Sequence, residues 1–426
     1  MLLSHSCSNR FQQSVCVKIL VLNSGSSSLK FKLFSFADTG PESLASGLVE
    51  RIGEKESRVA LRRAGPAGRK LDERLEIGDH AQAVAVMLNV IRDGGLLQGA
   101  AAPDAIGHRV VHGGETFHSP VRIDEGVIRA IEELGPLAPL HNPVNLIGIR
   151  ATRERAPEVP QVAVFDTGFH QSLPRHAYLY GLPYVLYERE GVRRYGFHGT
   201  SHNFVCRAAA EFLGRTRTDL NMITLHLGNG ASAAAIRKGR SVDTSMGMTP
   251  LEGLLMGTRC GDLDPAVLLY LVRHCGMDIE QIDMLLNRKS GLKGICGQND
   301  MRAIVDRAGQ GDDRAILALQ MFTYRLKKYV GSYMAVLGRV DCLVFTGGIG
   351  EHAPSVRELA CQDLEGLGIV LDRKRNSQAL GGTIREIQAG TSRVRILVVP
   401  TDEELEIARQ TAKVLGWPEV PDRSRP

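Results

Sequence analysis

The sequence has few of the features that mark membrane, secreted, zinc-binding or nucleic-acid-binding proteins. No apolar run approaches the roughly 18 residues that a membrane span requires. The eight cysteines include no C-x-x-C pair and no zinc-finger spacing, which is typical of reduced, cytosolic thiols. A net charge of +5 is small for 426 residues, so basic runs such as "RKGR" indicate solvated surface. We therefore expect a cytoplasmic protein with no membrane partner and no nucleic-acid partner.

Several familiar ligand-binding motifs are absent as well. The chain contains no P-loop (G-x-x-x-x-G-K-[ST]), no dinucleotide fingerprint (G-x-G-x-x-G) and no H-E-x-x-H metal motif. Residues 1–16 lack the apolar segment of a secretory signal. We interpret these residues as a disordered N-terminal extension, or as an artefact of an upstream start assignment, and expect the fold to begin at Val17.

What the chain does contain is an ordinary globular composition with a pattern of short strands. Apolar residues make up 43% and charged residues 23%, and the length favours two domains. "KILVL" predicts a strand buried on both faces, and the alternation of Leu29, Phe31 and Leu33 with lysines predicts a second strand. The polar tract between them is longer than a two-residue hairpin turn needs, so we predict a loop over residues 23–28.

The arrangement of strand, polar loop and strand occurs twice. "MITLHLGNGASAAAIRKGR" repeats it near the midpoint with a loop over residues 228–232, which indicates a duplicated α/β fold. A third loop, residues 346–352 in "DCLVFTGGIGEH", follows another predicted strand. Loops of glycine, serine and asparagine can turn successive backbone N–H groups toward one anion. Each alone is more often an ordinary turn, but three together, with Lys30 beside the first, favour a bound polyphosphate.

Capping signals predict the helices. Asp79 precedes one helix, and a long helix runs from Asp312 to about Leu337. Asn142 is the predicted N-cap of a helix with proline at its first position. Thr401 and Glu404 form the predicted capping box of the last helix.

Five residues have both a binding interpretation and an ordinary structural one. Arg109 and Arg259 lie in or beside glycine-rich loops, where an arginine can hold carboxylate or phosphate, although either alone is more often a surface residue. His198 in a polar loop and His141 at a helix start are, taken singly, more often structural histidines. Asp166 ends a predicted strand, where ligand-facing residues of α/β sheets lie, and a capping role is equally open.

A carboxylate at the start of the last helix is also open to two interpretations. Glu403 is first of all a favourable charge for the helix dipole. On these residues alone, the sequence indicates a two-domain α/β protein that binds a nucleotide.

Taken together, the motifs resemble the acetate kinase family, which belongs to the superfamily of acetate and sugar kinases, heat-shock ATPases and actin. The resemblance extends from about Val17 to Trp417. It is carried by "NSGSSSLKF", "HRVVHGGE", "PLAPLHNP", "FDTGFH", "RYGFHGTSH", "HLGNGAS", "MGMTPLEGLLMGTRCGDLDP", "FTGGIGEH" and "TDEELEIAR". It implies two duplicated actin-like (ribonuclease H-like) α/β domains with a nucleotide cleft between them. The implied domains are residues 17–166, completed by the C-terminal helix 401–418, and residues 167–400.

The resemblance also implies a reaction and a set of site residues. The reaction is reversible phosphoryl transfer between ATP and acetate, with Mg²⁺ (or Mn²⁺ in its place), in a homodimer. The implied catalytic residues are Arg109, His141, Asp166, His198 and Arg259. The implied acetate pocket is Arg109, Val111, Leu140, Phe197 and Pro250. The implied nucleotide-binding residues are Ser26, Ser28, Lys30, His226, Leu227, Gly228, Asn229, Gly230, Asp300, Met301, Arg302, Gly348, Ile349, Gly350, Glu351 and His352. The implied metal-positioning residues are Asn23 and Glu403.

Within that implied site, the two arginines hold the carboxylate and the moving phosphoryl group, and His198 donates to that group. Acetate is already a nucleophile, so we expect Asp166 to orient rather than to act as an obligatory base.

Two alternatives remain at this level. The four apolar pocket residues fit a methyl group, which favours acetate over a longer acid such as propionate or butyrate. A non-catalytic ATP-binding switch of the same superfamily would not need both arginines and His198 beside a carboxylate pocket. Met301 departs from the aromatic residue often seen there in the family.

Overall fold

A computed structural model describes residues 16–37, 40–64, 70–97 and 102–417. Apart from Cys16, the expected N-terminal extension lies outside these residues, as does residue 418 at the predicted end of the last helix. Within the described ranges, two β-sheets are flanked and joined by helices.

The first sheet has the strand order β5-β4-β3-β2-β1-β6-β8-β7. Strands β1 to β5 form an antiparallel meander, while β6 runs parallel to β1 and β8 runs parallel to β6. The strands are β1 (Val17–Gly25), β2 (Ser28–Ala37), β3 (Gly40–Glu50), β4 (Ser57–Arg63), β5 (Lys70–Leu75), β6 (Ala105–Val110), β7 (Val121–Arg122) and β8 (Gln161–Phe165).

The second sheet repeats this plan, with the order β11-β10-β9-β12-β14-β13. A three-stranded meander again leads into two parallel neighbours, so β9, β10, β11, β12 and β14 correspond to β1, β2, β3, β6 and β8. This correspondence confirms the predicted duplication. The strands are β9 (Asn221–Leu227), β10 (Ala231–Arg237), β11 (Arg240–Thr244), β12 (Cys342–Thr346), β13 (Arg385–Glu386) and β14 (Arg395–Val398).

Helices cover the faces of both sheets. They are α1 (His80–Asp93), α2 (Glu125–Glu133), α3 (Asn142–Arg155), α4 (Arg175–Tyr178), α5 (Tyr184–Glu190), α6 (Gly199–Phe212), α7 (Ala266–Cys275), α8 (Ile279–Met284), α9 (Gly291–Cys296), α10 (Met301–Gly309), α11 (Asp313–Leu337), α12 (Gly347–His352), α13 (Pro354–Cys361), α14 (Arg373–Gln378) and α15 (Glu403–Val414). The predicted cap Asp79 is confirmed, because its side chain accepts a hydrogen bond from the first turn of α1. Asp312, where the long predicted helix begins, caps α11 in the same way.

Strand β1 shows how the apolar run is buried on both faces. Leu20 and Leu22 pack with residues of α1 on one side, and Ile19 and Val21 pack with residues of α6 and α15 on the other. The second of these clusters also contains residues of β9, β12 and β14. Helices α6 and α15 therefore lie in one apolar core that connects the two sheets.

The first polar tract is not the long loop that we predicted. Strand pairing continues through Asn23, which lies opposite Lys30, to Gly25, which lies opposite Ser28. Only Ser26 and Ser27 form the turn. The prediction was wrong because polar side chains do not end a strand when its backbone ladder continues; they only mark where the sheet leaves the apolar core.

Both other polar loops are also shorter than predicted. The second is residues 228–230, since Ala231 already pairs with Leu227. The third, predicted over residues 346–352, is largely helix α12, which starts directly after β12. Gly347 makes this sharp entry possible: its φ is +76°, and a Cβ there would lie 2.8 Å from the Leu227 carbonyl oxygen.

Two predicted caps are wrong for a shared reason, namely that tertiary contacts use the side chains elsewhere. Asn142 lies inside α3, where its amide group bonds both the N–H and the carbonyl of His112 at 3.1 and 3.0 Å. In the last helix Asp402, rather than Thr401, caps the Leu405 N–H. The Asp402 side chain also pairs with Lys32 of β2 at 2.7 Å.

Buried histidines should make the protein sensitive to acid. Burial lowers the pKa of His108 to about 4 from its ordinary 6.5, although its hydrogen bond with Gln161 opposes the shift. Between these values the unfolded chain binds more protons, so the stability is full above about pH 6.5 and falls as the pH drops toward 4. We expect the urea midpoint to be lower at pH 5 than at pH 7.

The variant His108→Gln keeps an N–H donor but does not titrate. Its loss of stability between pH 7 and pH 5 should therefore be smaller, by the contribution of roughly one bound proton. The control His176→Gln makes the same substitution at an exposed histidine. An unchanged pH dependence in His108→Gln would contradict the assignment.

Candidate active site

The first half of the site lies where β1, β6 and β8 end. Arg109 is the fifth residue of β6, and Asp166 follows β8 directly, so the parallel pairing of these strands brings the two side chains together. The Arg109 guanidinium donates to both Asp166 carboxylate oxygens, through Nε at 3.2 Å and through Nη2. Its Nη1 donates to Asn23 Oδ1 of β1 at 3.2 Å. One arginine thus connects three neighbouring strands.

Charge pairing keeps Arg109 a cation. Burial by itself would lower the pKa of Arg109, but the negative charges of Asp166 and Glu403 outweigh burial and raise the pKa above its ordinary value. Asp166 also accepts a hydrogen bond from Thr200 Oγ1 at 3.2 Å, and its side chain is only 1% exposed. The carboxylate is therefore held on two sides, as a buried charge must be.

His198 joins this half to the second sheet. It precedes α6 in the left-handed region (φ +56°), which is uncommon for a residue with a side chain and is often found at functional sites. The next residue, Gly199, donates its N–H to the Asp166 carbonyl at 2.9 Å, and a Cβ at Gly199 would overlap that oxygen. Burial, followed by the nearby rings of His226 and His202, holds the pKa of His198 well below 6.5, so the ring is neutral.

Arg259 has no carboxylate partner among the described residues. Its Nη1 donates to the Pro250 carbonyl at 3.0 Å. Burial lowers the pKa of Arg259. A Cβ built on Gly230 would lie 3.5 Å from both Arg259 Nη1 and His198 Nε2, so these groups converge on the second glycine loop. A partly buried cation without a counter-charge among the described residues makes this point attractive to an anion.

Hydrogen bonds hold the second polar loop, residues 228–230, in place. Gly228 N–H donates to the Gly230 carbonyl at 3.0 Å. Asn229 Oδ1 accepts from Asn299 at 3.1 Å, which brings the segment before α10 beside the loop. His226 stacks on His198 with ring centroids 4.4 Å apart, and burial lowers the pKa of His226 to about 4. Leu227 is buried in the core of the second sheet.

The residues predicted to hold adenosine lie at the starts of α10 and α12. Asp300 caps α10 and pairs with Arg302 at 2.7 Å on the surface, while Met301 is buried. In α12, Glu351 Oε1 accepts from the backbone of Gly347 at 3.1 Å and of Thr401 at 3.2 Å. The Glu351 carboxylate therefore holds the start of α12 against Thr401. The other predicted residues of α12 are Gly348, Ile349, Gly350 and His352.

The predicted acetate pocket is only partly enclosed. Val111 and Phe197 are buried in one apolar cluster, and Pro250 is held through its carbonyl by Arg259. Leu140 is 59% exposed, beside His141 at the start of α3. Partial desolvation, and then the charges of Arg109 and Arg259, lower the pKa of His141.

The rim of the first sheet supplies the residues with which a cation would interact. No group of three or more His, Cys, Asp or Glu in the described part of the chain is arranged to hold a metal ion. Mg²⁺ does not need such a cage, because it binds through one or two protein oxygens, waters and substrate phosphates. Burial raises the pKa of Glu403 to about 7, against the opposing charge of Arg109. Glu403 interacts with Arg109, whose guanidinium also binds the amide oxygen of Asn23, and these two oxygen donors fit Mg²⁺. Ser26, Ser28 and Lys30 lie along the same hairpin as Asn23.

Several residues of the site were not predicted. Thr200 bonds Asp166, Ser232 Oγ lies 2.9 Å from His198 Nδ1, and Ser201 Oγ lies 2.7 Å from His226 Nδ1. A signal for the serine at 232 was present, since it is the only polar residue in the apolar stretch "ASAAAI" of β10. The others required the three-dimensional contacts.

Comparisons with known proteins agree with this geometry. The chain matches the model of the acetokinase family over residues 18–409. It is 53% identical over 402 residues to an acetate kinase of Syntrophobacter fumaroxidans, covering 94% of this chain and 97% of that protein. The structure resembles the crystal structure of Porphyromonas gingivalis acetate kinase, with a TM-score of 0.88 at 47% identity and coverage of 94% and 100%.

A crystal structure of a propionate kinase from Francisella tularensis is similar to nearly the same degree. Its TM-score is 0.87 at 42% identity, with 93% of this chain and 100% of that chain covered. Fold and sequence agree over almost the entire length. The chain belongs to the acetokinase family.

Proposed function

We propose that the protein is an acetate kinase, which transfers the γ-phosphoryl group of ATP to acetate, reversibly, to give acetyl phosphate and ADP. Membership of the acetokinase family and an acetate kinase 53% identical in sequence support this function. The observation that carries the mechanism is the convergence of Arg259, which has no carboxylate partner among the described residues, a neutral His198 and the Gly230 loop.

Arg259 is the residue that stabilises the moving phosphoryl group. In phosphoryl transfer, negative charge spreads over the equatorial oxygens, and catalysis is mostly positioning and electrostatic stabilisation. A guanidinium without an internal counter-charge is free to respond to that charge. His198 Nε2 faces the same point and donates a neutral hydrogen bond.

Arg109 holds the acetate carboxylate, and Asp166 orients Arg109. Both Asp166 oxygens already accept hydrogen bonds from Arg109, and one also accepts from Thr200. This occupancy favours an orienting role over proton transfer. His141, exposed at the mouth of the cleft, supports the phosphoryl group from the side of α3.

Bound Mg²⁺, or Mn²⁺ in its place, would supply a positive charge that neutralises the phosphates. Asn23 and Glu403 would hold it. The side chains of Ser26, Ser28 and Lys30 would bind phosphate oxygens, and the His226–Gly230 segment would follow the phosphates on the opposite side. The segments at 300–302 and 348–352 would hold adenosine.

The proposed domain division is residues 17–166, completed by the C-terminal helix, and residues 167–400. One face of each sheet packs with helices of its own half, which supports this division, although the other faces share the core formed with α6 and α15. In the part of the chain that is described, no helix is both long and apolar enough to cross a membrane. The free thiols among the described cysteines support the proposed cytoplasmic location.

Arg259 should be needed for activity but not for the stability of the fold. We expect Arg259→Ala to reduce kcat roughly 10³- to 10⁵-fold, as for other arginines that stabilise a phosphoryl transition state. Its melting temperature should change little, because the side chain is only partly buried and has no carboxylate partner among the described residues. Both quantities can be measured on the same preparation.

A matched control is Arg357→Ala. Arg357 is buried outside the cleft and donates five hydrogen bonds to oxygens of Gly350, Glu351, Asn376 and Ala379. This variant should melt at a clearly lower temperature, since five acceptors lose their donor. Near-normal kcat in Arg259→Ala would contradict its proposed role.

The acid that the protein prefers can be measured directly. Buried Val111 and Phe197 would line a pocket that fits a methyl group, and an extra methylene changes kcat/KM by roughly 10- to 200-fold. We expect kcat/KM to fall from acetate to propionate to butyrate when the acyl phosphates are trapped with hydroxylamine.

The similar propionate kinase makes propionate the second candidate substrate. A higher kcat/KM for propionate would favour that candidate, and equal or better use of butyrate would rule out the proposed pocket. No product with any of the three acids would favour the non-catalytic switch.

We also propose that the protein is a homodimer. Helix α7, with the sequence AVLLYLVRHC, has no buried residue, and Leu269 and Tyr270 are 54% and 60% exposed. An apolar helix without a buried residue indicates a surface that another copy covers. Further exposed apolar residues lie in or beside α5, α8 and α11, namely Leu182, Tyr184, Val185, Ile279, Leu317 and Tyr324.

Light scattering after gel filtration should therefore give twice the mass of one chain. The double variant Leu269→Glu/Tyr270→Glu should give a monomer, because two carboxylates would be desolvated at the interface. The control Leu75→Glu, on exposed strand β5, should stay dimeric. A monomeric wild type, or a double variant with unchanged mass, would exclude this interface.

A further inference from the structure

A chain of hydrogen bonds runs from the buried core of the second sheet to His198. Thr224 Oγ1 of β9 lies 2.7 Å from His202 Nδ1, and His202 Nε2 lies 2.8 Å from Ser232 Oγ. Ser232 Oγ lies 2.9 Å from His198 Nδ1. Thr224, His202 and Ser232 are completely buried.

Both histidine rings in this chain are neutral. Burial is the main reason that the pKa values of His198 and His202 are held well below 6.5, and the neighbouring histidines add to the effect. A neutral imidazole has one N–H and one lone pair, so each ring is a donor at one nitrogen and an acceptor at the other. The hydrogen bonds from Thr224 to His198 can therefore all point toward His198 or all point toward Thr224.

Thr224 decides between the two directions. If its hydroxyl donates to His202 Nδ1, every hydrogen in the chain has an acceptor. If the direction is reversed, His202 Nδ1 donates to Thr224, and the threonine hydrogen needs a second acceptor. Within the described ranges the Thr224 hydroxyl has no other hydrogen-bond partner. An unpaired buried hydroxyl hydrogen is unfavourable, so the first direction is preferred.

The preferred direction determines which nitrogen of His198 carries the proton. Thr224 donates to His202 Nδ1, so His202 Nε2 carries the hydrogen and donates to Ser232. The Ser232 hydroxyl then donates to His198 Nδ1. His198 is left with its N–H at Nε2, the nitrogen that lies 3.5 Å from the Cβ position of Gly230 beside Arg259.

We propose that Thr224, His202 and Ser232 are positioning residues that hold His198 in the tautomer with hydrogen on Nε2, so that it can donate to the transferring phosphoryl group. The last part of this statement rests on the proposed function. In the opposite tautomer, a lone pair would face the negatively charged phosphoryl oxygens and repel them.

The first experiment measures the tautomer itself. Two-dimensional ¹H–¹⁵N spectra of histidine-labelled protein distinguish protonated from unprotonated ring nitrogens, and His198→Gln assigns the signals. The wild type without ligand should show hydrogen on Nε2 of His198. Thr224→Val, which replaces the hydroxyl by a methyl group of similar size, and Ser232→Ala should shift His198 toward the other tautomer or a mixture.

The second experiment uses conservative controls. Thr224→Ser keeps the hydroxyl, so it should keep the wild-type tautomer and most of the activity. Thr224→Val should lower kcat with acetate and Mg-ATP by roughly 10- to 100-fold, the usual range for residues that orient a catalytic group, with little change in KM. Equal kcat in the valine and serine variants would overturn the proposal.

The two proposals can fail separately. A wild-type His198 with hydrogen on Nδ1, or a tautomer that neither Thr224→Val nor Ser232→Ala changes, would overturn the proposed positioning role of these residues, even in a fully active kinase. Absence of acyl phosphate formation by the wild type would instead overturn the proposed function, whatever the spectra show.

Discussion

The paired hydrogen bonds between Arg109 and Asp166 hold together the parts of the molecule on which the candidate site depends. Arg109 connects β6 to β1 through Asn23, and Asp166 extends from β8. The Asp166 carboxylate also accepts a hydrogen bond from the Thr200 hydroxyl, and the Asp166 carbonyl accepts one from the Gly199 N–H. Since α6 starts at Gly199 and is packed between the two sheets, this ion pair sets where His198 stands relative to the first sheet.

The arginines Arg109, Arg357 and Arg259 differ in the partners that compensate their positive charges. Arg109 has a buried carboxylate, and Arg357 has five oxygen acceptors. Arg259 has no carboxylate partner among the described residues, and partial burial lowers its pKa. A partly desolvated cation without a counter-charge costs folding free energy, which the remaining contacts of the fold must offset. His198, His202 and His226 add no further positive charge, because desolvation keeps them neutral and able to act as directional donors and acceptors.

Much of the fold followed from local patterns, and the errors have a common physical origin. Apolar runs and alternation identified β1 and β2 in the first half and β9, β10 and β12 in the second, and the repeated unit identified their duplication. The hairpin at Ser26 was misjudged because side-chain polarity reports what a strand faces, not whether its backbone is paired. Asn142 was misjudged as a cap because its amide bonds the backbone of His112, which is 30 residues away. The same holds for the start of α15, where Asp402 is fixed by Lys32 across 370 residues.

The sequence by itself determined the strand and helix types, the two-fold repetition and the motifs that resemble the acetate kinase family, because these depend on residues close together in the chain. Tertiary structure decided which charges are paired, which histidine nitrogen carries a proton and which apolar helix remains uncovered. Pairing and desolvation depend on distances between residues far apart in sequence, such as the 57 positions that separate Arg109 from Asp166. For this reason the two arginines, which are alike in their glycine-rich sequence context, differ in the folded protein: Arg109 is paired with a buried carboxylate, and Arg259 remains a partly buried cation without a carboxylate partner among the described residues.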